Sequence, residues 1–353
     1  MVSKYWLSKA WTGAGGCIGR RLRLSVLGTM AMVSLLVVQG CGNQPILPKT
    51  DPIPGGGKWQ AFARSPVPFH ESAAAVMGGK LYYVGGRLPN GPIATLYCYE
   101  PPPVDGWTQL SSHPGTAVDH MGAAVVDGIL YAIGGTTEFP GPSVSHVYAY
   151  DPATDTWTTQ SPLPQVLGAM GIGAVDGKIY LIGGLSGSQT SNVVFEYDPT
   201  SDQWTDLTSI CPMPTPRDHC VAATVNDKIH MIGGRQLDVY SIMDVHEVFD
   251  PVARTWETKA SMPTARAGFA AAVLNGKILI MGGEGALNSS GVFSENEEYD
   301  PATDTWRTLS PMITPRHSTQ AGVIDAVVYV AGGAPQIFRT YTDAHEGFSF
   351  QFE

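Results

Sequence analysis

The chain has 353 residues and a formal net charge of −10, with 43 % hydrophobic and 15 % charged residues, 41 Gly, 27 Pro and 5 Cys. That apolar fraction suffices for a packed core and excludes wholesale disorder, while so much Gly and Pro argues for many turns and against a helical bundle. No basic stripe follows Arg23, so nucleic acid is not an expected partner.

The first element is an N-terminal segment unlike the rest. It carries Lys4, Lys9, Arg20, Arg21 and Arg23 and no acid, followed by a charge-free run from Leu24 to Val38. The run is short for a membrane span and suits the core of a signal peptide. Val38-Gln39-Gly40-Cys41 then resembles a bacterial lipobox, which implies lipidation of Cys41 and a membrane-anchored lipoprotein of the bacterial envelope, periplasmic or surface-exposed. The alternative is an ordinary signal peptide with an incidental Cys. Residues 1–40 are thus expected to be the signal peptide and 41–57 a Pro/Gly-rich tether. Removing 1–40 leaves 16 basic and 31 acidic residues, a net charge of −15 that disfavours anionic partners.

From residue 58 the chain repeats. Glycine doublets fall at Gly85, Gly134, Gly183, Gly233, Gly282 and Gly332, at spacings of 49, 49, 50, 49 and 50. Each closes a short apolar run, and seven residues before each lies a two-residue turn such as Asp127-Gly128 or Asn275-Gly276, the signature of a type I′ hairpin; Asp325-Ala326 fits that signature least. These hairpins supply strands A and B. A third strand, C, ends at Tyr99, Tyr150, Tyr197, Phe249 or Tyr299, with Phe348 in the C-like run of the last unit, and a fourth, D, carries Trp107, Trp157, Trp204, Trp256 or Trp306. Strand A is built of small residues and strands C and D of aromatics. Sheets set radially around an axis need that gradient, because they crowd at the hub and diverge outward, where each Trp is expected to be buried.

The doublet, the Tyr-Asp-Pro turn and the following Trp resemble the kelch repeat. The resemblance implies an all-β fold: a six-bladed β-propeller of four-stranded antiparallel blades over 58–353. Trp59 precedes Gly85 by 26 residues, with no strands A to C before it, and the last unit ends after its C-like run. The N-terminal strand is therefore expected to complete the last blade and close the ring.

The B–C and D–A connections share one face, and the B–C connections are the long, variable ones, which makes that face the expected binding face. Two positions per blade should line it near the axis: the residue after the doublet and the residue opening strand A. The polar ones are Glu71, Arg87, His120, His219, Arg235 and Glu284, candidate ligand-binding residues suited to a small polar ligand, a sugar or an acidic peptide; the alternative is a solvated rim. In kelch adaptors that grip peptides, the equivalent positions contact the ligand. Arg217, Arg266 and Arg316 share one repeat position and are expected to bond neighbouring loops. His70, His120, His219 and His317 show no HxH or HxxxH spacing, so no metal site and no cofactor is expected. Cys211 and Cys220 are a possible disulfide in an oxidising compartment. The expectation is a monomeric binding or scaffold protein engaging a protein or glycan. The alternative is a carbohydrate-active enzyme resembling the six-bladed kelch sialic acid mutarotases, which would require Glu71, His120, His219 and Arg235 to converge on one enclosed volume.

Overall fold

The computed structural model describes residues 54–139, 141–285, 291–337 and 340–352. The expected signal segment and Cys41 lie outside the described residues. The fold is built on six four-stranded antiparallel sheets, and in blades 1 to 5 the strands follow one another from hub to rim in chain order. Blade 1, for example, runs Ala73–Met77, Lys80–Val84, Leu96–Glu100, Gly106–Leu110. Every two-residue A–B turn holds both residues at positive φ, as type I′ geometry demands, including Ala326 at 62°. That alanine adopts the left-handed region without glycine's freedom because the flanking strands fix the turn.

Blade 6 is closed by the N-terminus. Lys58–Ala61 pairs with His345–Ser349, setting Trp59 opposite Phe348. Innermost strands of adjacent blades pack on one another, and the axial channel between them is walled by small residues such as Ala73, Gly122, Gly171, Ala222 and Ala271. At the rim the six strand-D tryptophans are half-buried, less than the full burial expected of them. The reason is that each works as a hydrogen-bonded peg between blades. Trp Nε1 donates to a backbone carbonyl of the preceding blade in all six cases, from Trp59 to Ser310 (2.8 Å) through Trp306 to Ala260 (2.9 Å). The aspartates before these tryptophans are structural. Asp155 accepts from the Tyr150 hydroxyl (2.8 Å) and from the Ser111 backbone N–H of the neighbouring blade (3.0 Å).

The repeated arginines are fully buried; Arg217 and Arg266 donate to the loop carbonyls of Thr215 and Thr264, but the charge partners of all three lie on a strand. Arg217, Arg266 and Arg316 pair with Glu247, Glu297 and Glu346, each on strand C of the same blade, at 2.6, 2.9 and 3.2 Å. In blades 1 to 3 the same two positions hold Phe69/Tyr97, Val118/Tyr148 and Leu167/Phe195. Cys211 and Cys220 are also unlike the expectation: both are buried free thiols. They sit in the apolar layer between blades 3 and 4, where Cys211 Sγ contacts the Leu207 carbonyl at 3.6 Å and burial raises both thiol pKa values, that of Cys220 to about 11.

Buried neutral histidines brace the blades away from the axis. His113 stacks on Tyr148 (5.2 Å), His230 Nδ1 meets His246 Nε2 at 2.9 Å, and His345 stands edge-on to Tyr99 (4.2 Å). Burial lowers the pKa of His113, His230 and His345 to about 4 and that of His246 to about 3. A folded-state value below the unfolded value of 6.5 means that their contribution is complete above pH 6.5 and is lost as pH falls toward 4. We expect each to withdraw about 2 kcal/mol by pH 4.5. Thermal melts at pH 7.5 and 4.5 check this: His113→Phe should narrow the gap between the two melting temperatures, and an unchanged gap would contradict the assignment.

Candidate functional site

At the hub, six residues that open the innermost strands form a closed belt. Glu71, His120, Ala169, His219, Gly268 and Ser318 all have φ between 50° and 59°. Each donates its backbone N–H to the carbonyl of the belt residue one blade back, at 2.7–3.0 Å, with Ser318 closing onto Glu71. Five of the six are not glycine, so this left-handed backbone is imposed by the belt rather than by intrinsic preference. One step outward, a backbone bridge ties each blade's post-doublet residue to the residue before its belt position: His70 to Arg87, Asp119 to Thr136, Gly168 to Leu185, Asp218 to Arg235, Ala267 to Glu284 and His317 to Ala334. The second glycine of the doublet permits this approach. At Gly234 (φ 103°) a Cβ would stand 2.7 Å from the Asp218 carbonyl.

This geometry brings all six nominated side chains together. Glu71, Arg87, His120, Arg235 and Glu284 line a cavity of about 320 Å³ with His70, Asp119, Phe139, Val239 and His317, and His219 lines an adjoining pocket with Glu71 and His120. The side chains form one polar network. Arg87 Nη1 donates to Asp119 Oδ2 (2.9 Å), and Asp119 Oδ1 bonds His120 Nδ1 (2.8 Å). His120 Nε2 lies 3.3 Å from Glu71 Oε1, and the Ser318 hydroxyl donates to the same oxygen. Across the axis, His219 Nδ1 meets Asp218 Oδ1 at 2.5 Å, and Arg235 donates to His219 Nε2 (3.0 Å) and to Glu284. Phe139 stacks on His120 (centroids 4.4 Å apart, 17° between planes) and also faces the Arg235 guanidinium.

Burial opposes charge on His120, but Glu71 and Asp119, one at each ring nitrogen, outweigh it and raise the pKa to about 10. Burial also opposes ionisation of Glu71, and the His120 charge and hydrogen bond reverse that, holding the carboxyl well below its usual range. His219 shifts the other way, lowered by burial and then by the Arg235 charge. Two adjacent histidines are thus held in opposite protonation states by their neighbours.

The sequence reading missed Asp119, Asp218 and Phe139. The aspartates had a signal: Asp119-His120 and Asp218-His219 are the same dipeptide at the same repeat position of blades 2 and 4. Phe139 had none, since it lies in an irregular B–C connection. The spacing argument against a metal site also fails, because ring closure makes residues about fifty or a hundred positions apart neighbours at the axis. One donor atom each from Glu71, His120 and His219 lie within 4.8 Å of one another.

Comparison with known proteins places these features in context. Residues 122–333, more than half of the chain, match the family model described as the KLHDC2/KLHL20/DRC7 Kelch-repeats domain. An F-box/kelch-repeat protein of Arabidopsis thaliana is 39 % identical over 70 residues, covering 20 % of this chain and 18 % of that one. The Kelch-like protein terF of Aspergillus terreus is 31 % identical over 90 residues (25 % and 19 %), and human Kelch-like protein 4 is 30 % identical over 81 (23 % and 11 %). These matches span less than a fifth of the relatives' own lengths. Among solved structures, that of YjhT superposes with a TM-score of 0.69 at 18 % identity, covering 81 % of this chain and 96 % of YjhT, a likeness of fold.

Proposed function

Because the chain belongs to the kelch-repeat family, whose six units here build one propeller, we propose that it is an exported binding protein, lipid-anchored through Cys41 in a bacterial envelope, that holds a monosaccharide-sized unit of a glycan in its axial cavity. The observation that carries the reading is a cavity of about 320 Å³ walled by five of the six nominated side chains together with Phe139 and Val239, with His219 beside it. That volume suits a small ligand. The walls offer hydroxyl-binding donors and acceptors in Arg87, Asp119, Arg235 and Glu284, with apolar surface contributed by Phe139 and Val239. An acidic peptide fits less well, because carboxylates outnumber guanidinium groups among the lining residues.

A second reading, sugar ring opening of the kind performed by sialic acid mutarotases, is favoured by the convergence it requires of Glu71, His120, His219 and Arg235 and by one further observation. A proton donor and acceptor pair, His120 Nε2 and Glu71 Oε1, stands 3.3 Å apart on the cavity floor.

The test uses the full chain on a glycan array and in envelope pull-downs, with retained sugars followed for anomer equilibration. Arg87→Ala/Arg235→Ala should lose at least about tenfold in retention of the wild-type ligands, as expected from removing two charged hydrogen-bonding groups, one buried and one half-buried. Profiles identical to wild type would discard the site. Cys41→Ala should move the protein from the membrane to the soluble fraction and remove fatty-acid label, and unchanged fractionation would discard the anchor.

A further inference from the structure

The geometry points to a divalent transition-metal site on the propeller axis, formed by Glu71, His120 and His219 with an open side toward the cavity. Each residue comes from a different blade, and one donor atom from each lies within 4.8 Å of the others. The Glu71 Oε1 to His120 Nε2 separation of 3.3 Å is already about the edge of a tetrahedron with metal–ligand arms of ~2.0–2.1 Å. The belt holds all three backbones in register, so only side-chain torsions need adjust to bring in the third ligand.

The surroundings add an independent argument. Both histidines present Nδ1 to the carboxylate of the preceding residue, Asp119 at 2.8 Å and Asp218 at 2.5 Å. This carboxylate–histidine arrangement fixes ring orientation and leaves Nε2 for a metal. In blades 3, 5 and 6 the residue before the belt position is Gly168, Ala267 or His317, so the bracing aspartates occur only where the belt residue is histidine. Charge agrees. Among the described residues of the site, the carboxylates Glu71, Asp119, Asp218 and Glu284 outnumber the guanidinium groups Arg87 and Arg235 by two, and a charged His120 still leaves one negative charge in excess. His70, 9 % exposed, lines the same cavity with neither ring nitrogen hydrogen-bonded. Imidazole and carboxylate ligands suit zinc, iron(II), cobalt or nickel. Three protein ligands leave a fourth position to an oxygen donor from the cavity.

Coordination releases the proton shared by His120 Nε2 and Glu71 to solvent through the cavity and breaks the contact from Arg235 Nη2 to His219 Nε2 (3.0 Å). Arg235 keeps Glu284 and Asp218 as partners. The site therefore predicts opposite effects for two kinds of variant, and it does not rest on the glycan reading.

The experiment is equilibrium dialysis of the full chain against Zn²⁺, with Co²⁺ absorption as a second readout and a thermal melt of each variant. We expect one Zn²⁺ per chain with a dissociation constant at or below about 10 μM, and a Co²⁺ d–d band that disappears in His219→Ala. His120→Ala and His219→Ala should weaken binding by at least about 100-fold, and the isosteric Asp119→Asn and Asp218→Asn, which preserve shape, by about 10- to 100-fold. Arg235→Ala should bind Zn²⁺ at least as tightly as wild type while losing glycan retention, which separates failure of one reading from failure of the other. No stoichiometric binding at 1:1, or affinity unchanged in the two Asp→Asn variants, overturns the site.

Discussion

Deletion of residues 58–66 abolishes cooperative folding of the propeller. The segment supplies the whole fourth strand of blade 6, four residues paired with His345–Ser349. Trp59 packs on Phe348 at a ring separation of 5.3 Å and donates to the Ser310 carbonyl. Phe62 stands edge-on to Tyr329 at 5.0 Å, and the Ala63 carbonyl accepts from Trp107 of blade 1 at 2.9 Å. Losing the segment strips strand C of blade 6 of its partner and opens the contact between the first and last blades, exposing a strand edge that templates aggregation. We expect a broadened or absent thermal transition. Trp59→Ala, which keeps the strand, should cost about 2–3 kcal/mol, less than a fully buried Trp because this one is half-exposed. Urea or thermal denaturation reads both, and a deletion variant melting like the intact chain would mean that the ring is not closed in this way.

Removing one buried arginine is the second large effect, and its reversal is as informative as the loss. Arg217 has no solvent exposure, pairs with Glu247 at 2.6 Å and donates to the Met231 carbonyl at 3.0 Å. Arg217→Leu alone leaves an unpaired carboxylate in the blade, at an expected cost of about 3–5 kcal/mol. The protein contains its own repair. The equivalent pair in blade 3 is Leu167 and Phe195, both buried in one apolar cluster. Arg217→Leu/Glu247→Phe should recover most of the lost stability, because the pair's desolvation cost disappears together with its attraction. Equal loss in single and double variants would show that the arginine's backbone bond, not its charge pairing, holds the blade. Phe269 also faces Arg266 at 5.5 Å, so the blade 5 pair carries an added cation–π contact and is the poorer choice for the same swap.

The two experiments separate kinds of information. The glycine doublets, the two-residue turns and the tryptophan spacing are local or periodic signals, and each depends on backbone conformation or strand alternation that a few adjacent residues control. They made blade number, strand order and even the closing partner of Trp59 legible. The positions of Glu71, Arg87, His120, His219, Arg235 and Glu284 followed from the same periodicity, since a repeat defines which side chains share a face. What they do to one another did not. The opposed protonation of His120 and His219 depends on whether Glu71 or Arg235 stands within hydrogen-bond reach, a matter of an ångström that repeat spacing does not carry.

Cys211 and Cys220 illustrate the same limit from the other side. Proximity in sequence allows a bridge, but the layer between blades 3 and 4 holds the two as separate buried thiols. Bulk alone predicts buried tryptophans, but they serve as pegs, because a rim residue reaches both solvent and the preceding blade's carbonyl. Composition and repeat pattern by themselves determined that this chain closes into a six-bladed ring with a polar mouth, since small inner and large outer side chains leave few other ways to pack. Only the tertiary structure decided that the mouth narrows onto a glutamate and two braced histidines, because ring closure joins residues whose distance along the chain says nothing about their distance in space.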